Sequence, residues 1–192
     1  MKGYKAFYFD MSCRPTLNNS VKYVVGETFE IDEPIILCCR GFHFCPRMPD
    51  VYRHYPARFD TRICEVEALG SLEPKCCWKR DSDGGIVSRP SSYSEKLATD
   101  KLYIARELTP AEIKKKLDRE VYIDTCLETL EEILASIRDF RESPETWELF
   151  DGYHWSYDPN NSLKELHDRA DLWEKALTSM DPTQTNNKEE KS

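Results

Sequence analysis

Along the first half of the chain, apolar and polar residues alternate in short runs, and turn residues separate the runs. "YKAFYF" (Tyr4–Phe9) is aromatic and alternating and predicts an opening strand. "VKYVVGETFEI" (Val21–Ile31) is β-branched, with Gly26 marking a turn or bulge inside it. "PIILCC" (Pro34–Cys39) is a short apolar run of the kind that forms a buried strand, and "FHFC" continues it beyond Gly41. Pro46 and Pro49 bracket its exit, and "MPDVYRHY" has room for one or two helical turns. "TRICEVEAL" (Thr61–Leu69) and "KLYIAREL" (Lys101–Leu108) predict two further strands, with residues 71–100 between them reading as loop-rich. In the first of these, Glu65 and Glu67 share one face and Cys64, Val66 and Ala68 the other, the pattern of a half-buried strand.

The period changes after Leu108. "TPAE" places Thr109 as N-cap, Pro110 at the first helical position and Glu112 as the reciprocal capping partner. Ile123, Leu127, Leu130, Leu134 and Ile137 recur at three- and four-residue steps, as on the apolar stripe of an amphipathic helix. "SPET" at Ser143 restarts a short helix. "SLKE" at Ser162 reads as a second capping box, ahead of Leu163, Leu166, Ala170, Trp173 and Leu177. From Asp181 the tail has nothing to bury and reads as disordered. The expected architecture is α+β: a small, curved, mainly antiparallel sheet at residues 1–108, an acidic helical appendage at 109–180 and a tail at 181–192.

Charge sharpens that division. The net charge is −8 over 192 residues. Residues 1–108 hold 16 Lys and Arg against 15 Asp and Glu, and residues 109–192 hold 11 against 20. An acidic half argues against a general nucleic-acid grip, which needs clustered cations. It favours a protein partner bound through the helical half. No apolar run approaches the ~20 residues of a membrane span, and "MKGYKAFYFD" lacks the apolar core of a signal peptide. A cytoplasmic location is therefore expected, and with it reduced thiols.

The densest chemistry lies in "CCRGFHFCPRMPDVYRHYP" (Cys38–Pro56). Zinc would need four ligands, usually with a close cysteine pair at each end. Cys39, His43 and Cys45 lack that spacing, and the adjacent Cys76 and Cys77 do not easily enter one tetrahedron, so no metal and no cofactor is expected. Cys38, Cys39 and Cys64 read as small apolar core residues. A nucleophilic Cys45 would need His43 within hydrogen-bonding reach, whereas side chains two apart on a strand run parallel. Lys114–Lys116 reads as the exposed side of a helix, and the aromatic "GYHWSYDP" (Gly152–Pro159) as a loop packed on the core. No catalytic constellation is assembled. The expected ligand or partner cleft gathers His43, Tyr52, His54 and Tyr55.

Taken together, "MKGYKAFYFDMSC", "YVVGETFEI", "LCCRGFHFCPRMPDVYRHYP", "RICEVEALG" and "LATDKLYIARELTPAEI" resemble a family of uncharacterised domains common in tailed phages, bacteria and large DNA viruses. The resemblance spans about residues 1–112. It implies a virus- or phage-related protein that binds or interacts rather than catalyses, in the host cell or as a minor particle component. "GFHFCPRMPDVYRHY" and "RICEVEALG" are also similar to the strand order of ADP-ribosyltransferase folds. That second resemblance implies an NAD- or nucleotide-binding enzyme or sensor, with His43, Tyr52 or Tyr55 as the wall against nicotinamide and Glu107 in the place of the catalytic glutamate.

Overall fold

A computed structural model describes residues 1–13, 21–35, 40–74, 76–80, 86–90, 96–118, 123–144, 147 and 159–179. These form nine strands: β1 (Lys2–Phe7), β2 (Thr28–Glu30), β3 (Phe42–Phe44), β4 (Arg62–Ala68), β5 (Leu72–Pro74), β6 (Cys76–Arg80), β7 (Ile86–Pro90), β8 (Leu97–Thr99) and β9 (Lys101–Glu107). Three helices follow: α1 (Pro110–Leu117), α2 (Ile123–Glu142) and α3 (Pro159–Thr178). The fold is α+β, with an open antiparallel sheet in the order β1-β4-β9-β2, a second sheet in the order β3-β8-β5, and the β6-β7 hairpin.

β1 and β4 pair over their whole length, from Lys2 opposite Glu67 to Phe7 opposite Arg62. The register between β4 and β9 shifts at Glu65/Val66, where Ala105 of β9 is the extra, unpaired residue. On one face of β4, Cys64, Val66 and Ala68 line a core shared with Phe7, Met11, Tyr23, Phe42, Phe44, Leu102 and Ile104. On the other face, Ile63 joins a second core with Ala6, Cys45, Met48, Val51, Phe59 and the buried stripes of all three helices. The change of element type therefore falls at Thr109, but the second core runs across it from Ala6 to Trp173.

β3 reaches the main sheet through one bridge. The amides of Tyr4 and Cys45 each donate to the other's carbonyl at 2.7 Å. Gly3 permits that approach: a Cβ there would lie 2.6 Å from the Cys45 carbonyl oxygen and 2.5 Å from the Phe44 ring.

Several expectations change on contact with the structure. Within Val21–Ile31 only Thr28–Glu30 is a strand, because Gly26 adopts φ +89° and closes a turn in which the Glu27 amide donates to the Val24 carbonyl. "MPDVYRHY" holds a 3₁₀ turn at Pro49–Arg53. The described part of residues 71–100, expected to be loop-rich, carries β5 to β8, and β6 and β7 pair from Cys76 opposite Pro90 to Arg80 opposite Ile86. The polar residues there satisfy their backbone in ladders, and the Asp and Gly residues collect between the two paired strands. The capping box at Thr109 and Glu112 forms as read. Ser162 does not cap α3, which starts three residues earlier at Pro159, a residue whose fixed φ suits a first helical position. The buried stripe of α2 is Ile133, Ile137 and Phe140, flanked by Leu130. The strand expected at Cys38–Cys39, the loop at 152–158 and the tail at 181–192 lie outside the described residues.

Gly3→Ala tests the β1–β3 contact. A main-chain oxygen cannot swing aside, so overpacking by one methyl is expected to cost about 3 kcal/mol, read as a lower urea midpoint with an unchanged slope.

Candidate functional site

β3 pairs antiparallel with β8, with His43 opposite Ala98. Lys96 stands two positions before Ala98, so it is a diagonal neighbour of His43 on the same face. On the other side, the Lys5 ammonium of β1 donates to the His43 carbonyl oxygen at 2.9 Å. His54 follows directly after the 3₁₀ turn, and its amide donates to Val51 O at 3.0 Å. Burial pushes the His43 imidazole down to about 3, and the positive charges of Lys96, Lys5 and His54 add to the shift. The ring is therefore neutral at pH 7.

The Tyr55 ring lies 5.7 Å from that of Tyr8. Tyr23 packs 4.9 Å from Phe7 and 4.8 Å from Phe29, and the Cys13 thiol donates to its hydroxyl at 3.6 Å. Burial first, and then Cys13, push the Tyr23 phenol well above the ordinary range. Cys64, opposite Lys5 in the ladder, is pushed up to about 12 by burial and by the nearby Glu107 charge. It is a neutral thiol.

Of the four residues expected in the cleft, His43 and His54 come close enough for their charges to interact. Tyr55 joins the Tyr8 and Tyr23 side. Tyr52 turns toward the helical core, where burial raises its phenol while the Arg169 charge opposes that shift. Lys5 and Lys96 belong to the cluster, and sequence reasoning missed both. Lys5 sat in plain view as the one polar residue among "YKAF", and a lysine on an otherwise apolar strand face was the available signal. Lys96 joins only through the β3–β8 register, which has no local signature. Among the described residues no group of three or more His, Cys, Asp or Glu side chains could hold a metal. The side chains of Cys39, Cys76 and Cys77 lie outside the described residues.

Glu107 serves a different purpose. Arg62 donates to its Oε2 from Nε at 3.1 Å and from Nη2 at 2.5 Å, and Arg169 Nη1 donates to Oε1 at 2.9 Å. Burial works against its charge, yet these hydrogen bonds and the two guanidinium charges hold the carboxyl below its ordinary range. Arg169 also donates to the carbonyls of Phe59 and Thr61 at 2.7 and 3.0 Å. The carboxylate thus ties α3 to β9 and β4.

The family model for a domain of unknown function (DUF7666) matches residues 1–80. That segment carries β1 to β6, hence Lys5, His43, His54 and Tyr55, but neither Lys96 nor the helices. No curated protein and no solved structure matches the chain. No helix among the described residues is long and apolar enough to cross a membrane.

Two measurements test these assignments. Glu107→Gln leaves two half-buried guanidinium groups without their anion and is expected to cost about 2 kcal/mol; an unchanged urea midpoint would mean that the carboxylate is free for another role. The unfolded chain protonates His43 below about pH 6.5, while the folded chain keeps it neutral down to about 3. The unfolded state therefore binds more protons across that window, and stability falls with pH. Between pH 7 and pH 5, above the range of the carboxylates, His43→Gln is expected to remove about 2 kcal/mol of the stability lost on acidification.

Proposed function

We propose that this protein is a non-enzymatic binding module whose His43 face takes up a small anionic ligand, a nucleotide being the ligand class in view. It acts in a virus- or phage-infected cell or as a minor particle component, the setting that its resemblance implies. The reading is carried by one observation. In a chain of net charge −8, the residues gathered around His43 are Lys5, Lys96 and His54, all basic. Clustered cations on an acidic protein set up a local field that concentrates anions.

The acidic helical half supports a second contact, with a protein partner. Glu128, Glu131, Glu132, Asp139 and Glu142 are exposed along α2, and an acidic face attracts a basic one. The catalytic alternative with an ADP-ribosyltransferase-like fold asks for a free carboxylate at the closing strand. Glu107 stands there, engaged by Arg62 and Arg169, so the geometry favours binding over catalysis.

The test is titration of AMP, NAD and uncharged adenosine at low ionic strength, followed by thermal shift and calorimetry. AMP or NAD is expected to bind and adenosine to bind more weakly. Lys96→Gln is expected to weaken AMP about fivefold, the equivalent of about 1 kcal/mol for one partly exposed charge. Failure of both AMP and NAD to bind, or a Lys96→Gln variant that binds them unchanged, would sink the proposal.

A further inference from the structure

We propose that the outer edge of β2 is a docking strand, and that it takes up an extended, lysine- or arginine-rich segment of a protein partner by strand addition. This surface is separate from the His43 face, and nothing about it depends on a ligand there. β2 stands at one end of the order β1-β4-β9-β2, and the other end is met by the Tyr4–Cys45 bridge. Phe29 pairs with Leu102 of β9. The Ile31 amide donates to the Asp100 carbonyl at 2.9 Å, and the Ile104 amide to the Glu27 carbonyl at 3.0 Å. Main-chain groups of residues two apart point to the same side of a strand. Glu27, Phe29 and Ile31 therefore bond toward β9, and the amides and carbonyls of Thr28 and Glu30 point away from it. Among the described residues nothing bonds to those outward groups, and both residues are exposed. The edge is a row of free donors and acceptors at strand spacing, the template on which another strand is added.

The surroundings decide what it takes. Gly26 closes the turn just before β2 and leaves Val24 and Val25 exposed, at 47% and 42%. They offer an apolar contact where the strand begins. From Tyr23 to Glu33 the chain carries Glu27, Glu30, Asp32 and Glu33 and no lysine or arginine. Glu30 pairs with Lys101 and Glu33 with Arg40. Glu27 and Asp32 are exposed, and no described cation pairs with either. A second copy of this chain laid along the edge would set the same carboxylates against one another, and like charges across a ladder destabilise it. A segment carrying lysine or arginine places opposite charges there, and the field of a chain with net charge −8 draws it in. The carboxylates that disfavour a second copy thus admit a basic strand.

The experiment titrates the full chain with a synthetic eight-residue peptide of alternating lysine and threonine, followed by amide NMR. One control peptide has glutamate in place of lysine, and another is N-methylated at every amide. The Thr28 and Glu30 amides are expected to shift and to gain protection from exchange, and both controls to bind at least tenfold more weakly. Thr28→Pro removes one outward N–H at an edge position that tolerates proline, and is expected to weaken the peptide at least fivefold. Asp32→Lys is expected to weaken it about threefold, as for one exposed charge; should Thr28→Pro not fold, this variant and the N-methylated control decide. The proposal is overturned if the lysine peptide does not bind, if either control binds as well as it does, or if the shifts fall on the acidic helices and spare Thr28 and Glu30. A dimer that forms with rising concentration and protects those two amides would assign the edge to a second copy instead, and would overturn it too.

Discussion

Glu107 holds two guanidinium groups that come from distant parts of the chain, Arg62 on β4 and Arg169 on α3. The helical half depends on this carboxylate for its position. Apolar burial alone would hold α3 against the sheet but would leave its rotation and register loosely defined, since such burial is non-directional. Arg169 fixes them by donating from all three of its nitrogens, to Glu107 and to the carbonyls of Phe59 and Thr61. Those two carbonyls belong to the turn that leads into β4. The clamp therefore orients that turn and α3 with respect to each other, and the core of Phe59, Phe140, Leu166 and Trp173 closes around it.

The clamp sits beside a core that crosses the boundary at Leu108. Ala6, Cys45, Val51, Phe59 and Ile63 are buried in a core whose other wall is helical. Without that wall a large apolar surface would meet water, at roughly 25 cal/mol for each Å². The alternation of β4 makes the double allegiance possible. It lets Ile63 face the helices while Cys64, Val66 and Ala68 line the core beneath β3.

What the sequence made legible follows from the range of the interactions. The Thr109 capping box, β4, β9 and the α3 stripe all rest on contacts within a few residues, and they appear where the pattern places them. His43 was readable because histidine between two phenylalanines, on an apolar strand, already asks what it is for. The β5–β8 region was misread because its pairing partners lie up to 57 residues apart, as Phe42 and Thr99 do, and its polar content imitates a loop. Lys96 entered the site by the same long-range pairing. Glu107 was noticed as a carboxylate near a closing strand, but its two partners, 45 and 62 residues away, could not be read from one dimension.

The half-buried Glu107 and the buried Lys5 are treated in opposite ways. Glu107 is compensated on both oxygens, and a charge so satisfied contributes position and specificity to a fold. Lys5 has a single carbonyl and the faces of two rings. An aliphatic side chain of the same length would fill that space at lower cost, because the strand face is otherwise occupied by Gly3, Phe7 and the ring of Tyr23. Packing gives no reason for an ammonium there. Sites kept against local stability are where function is to be sought, since stability and binding make conflicting demands on the same residues. The fold uses its compensated charge to seat the helices, and it commits the other to a single hydrogen bond to the carbonyl of His43, which fixes β1 against β3.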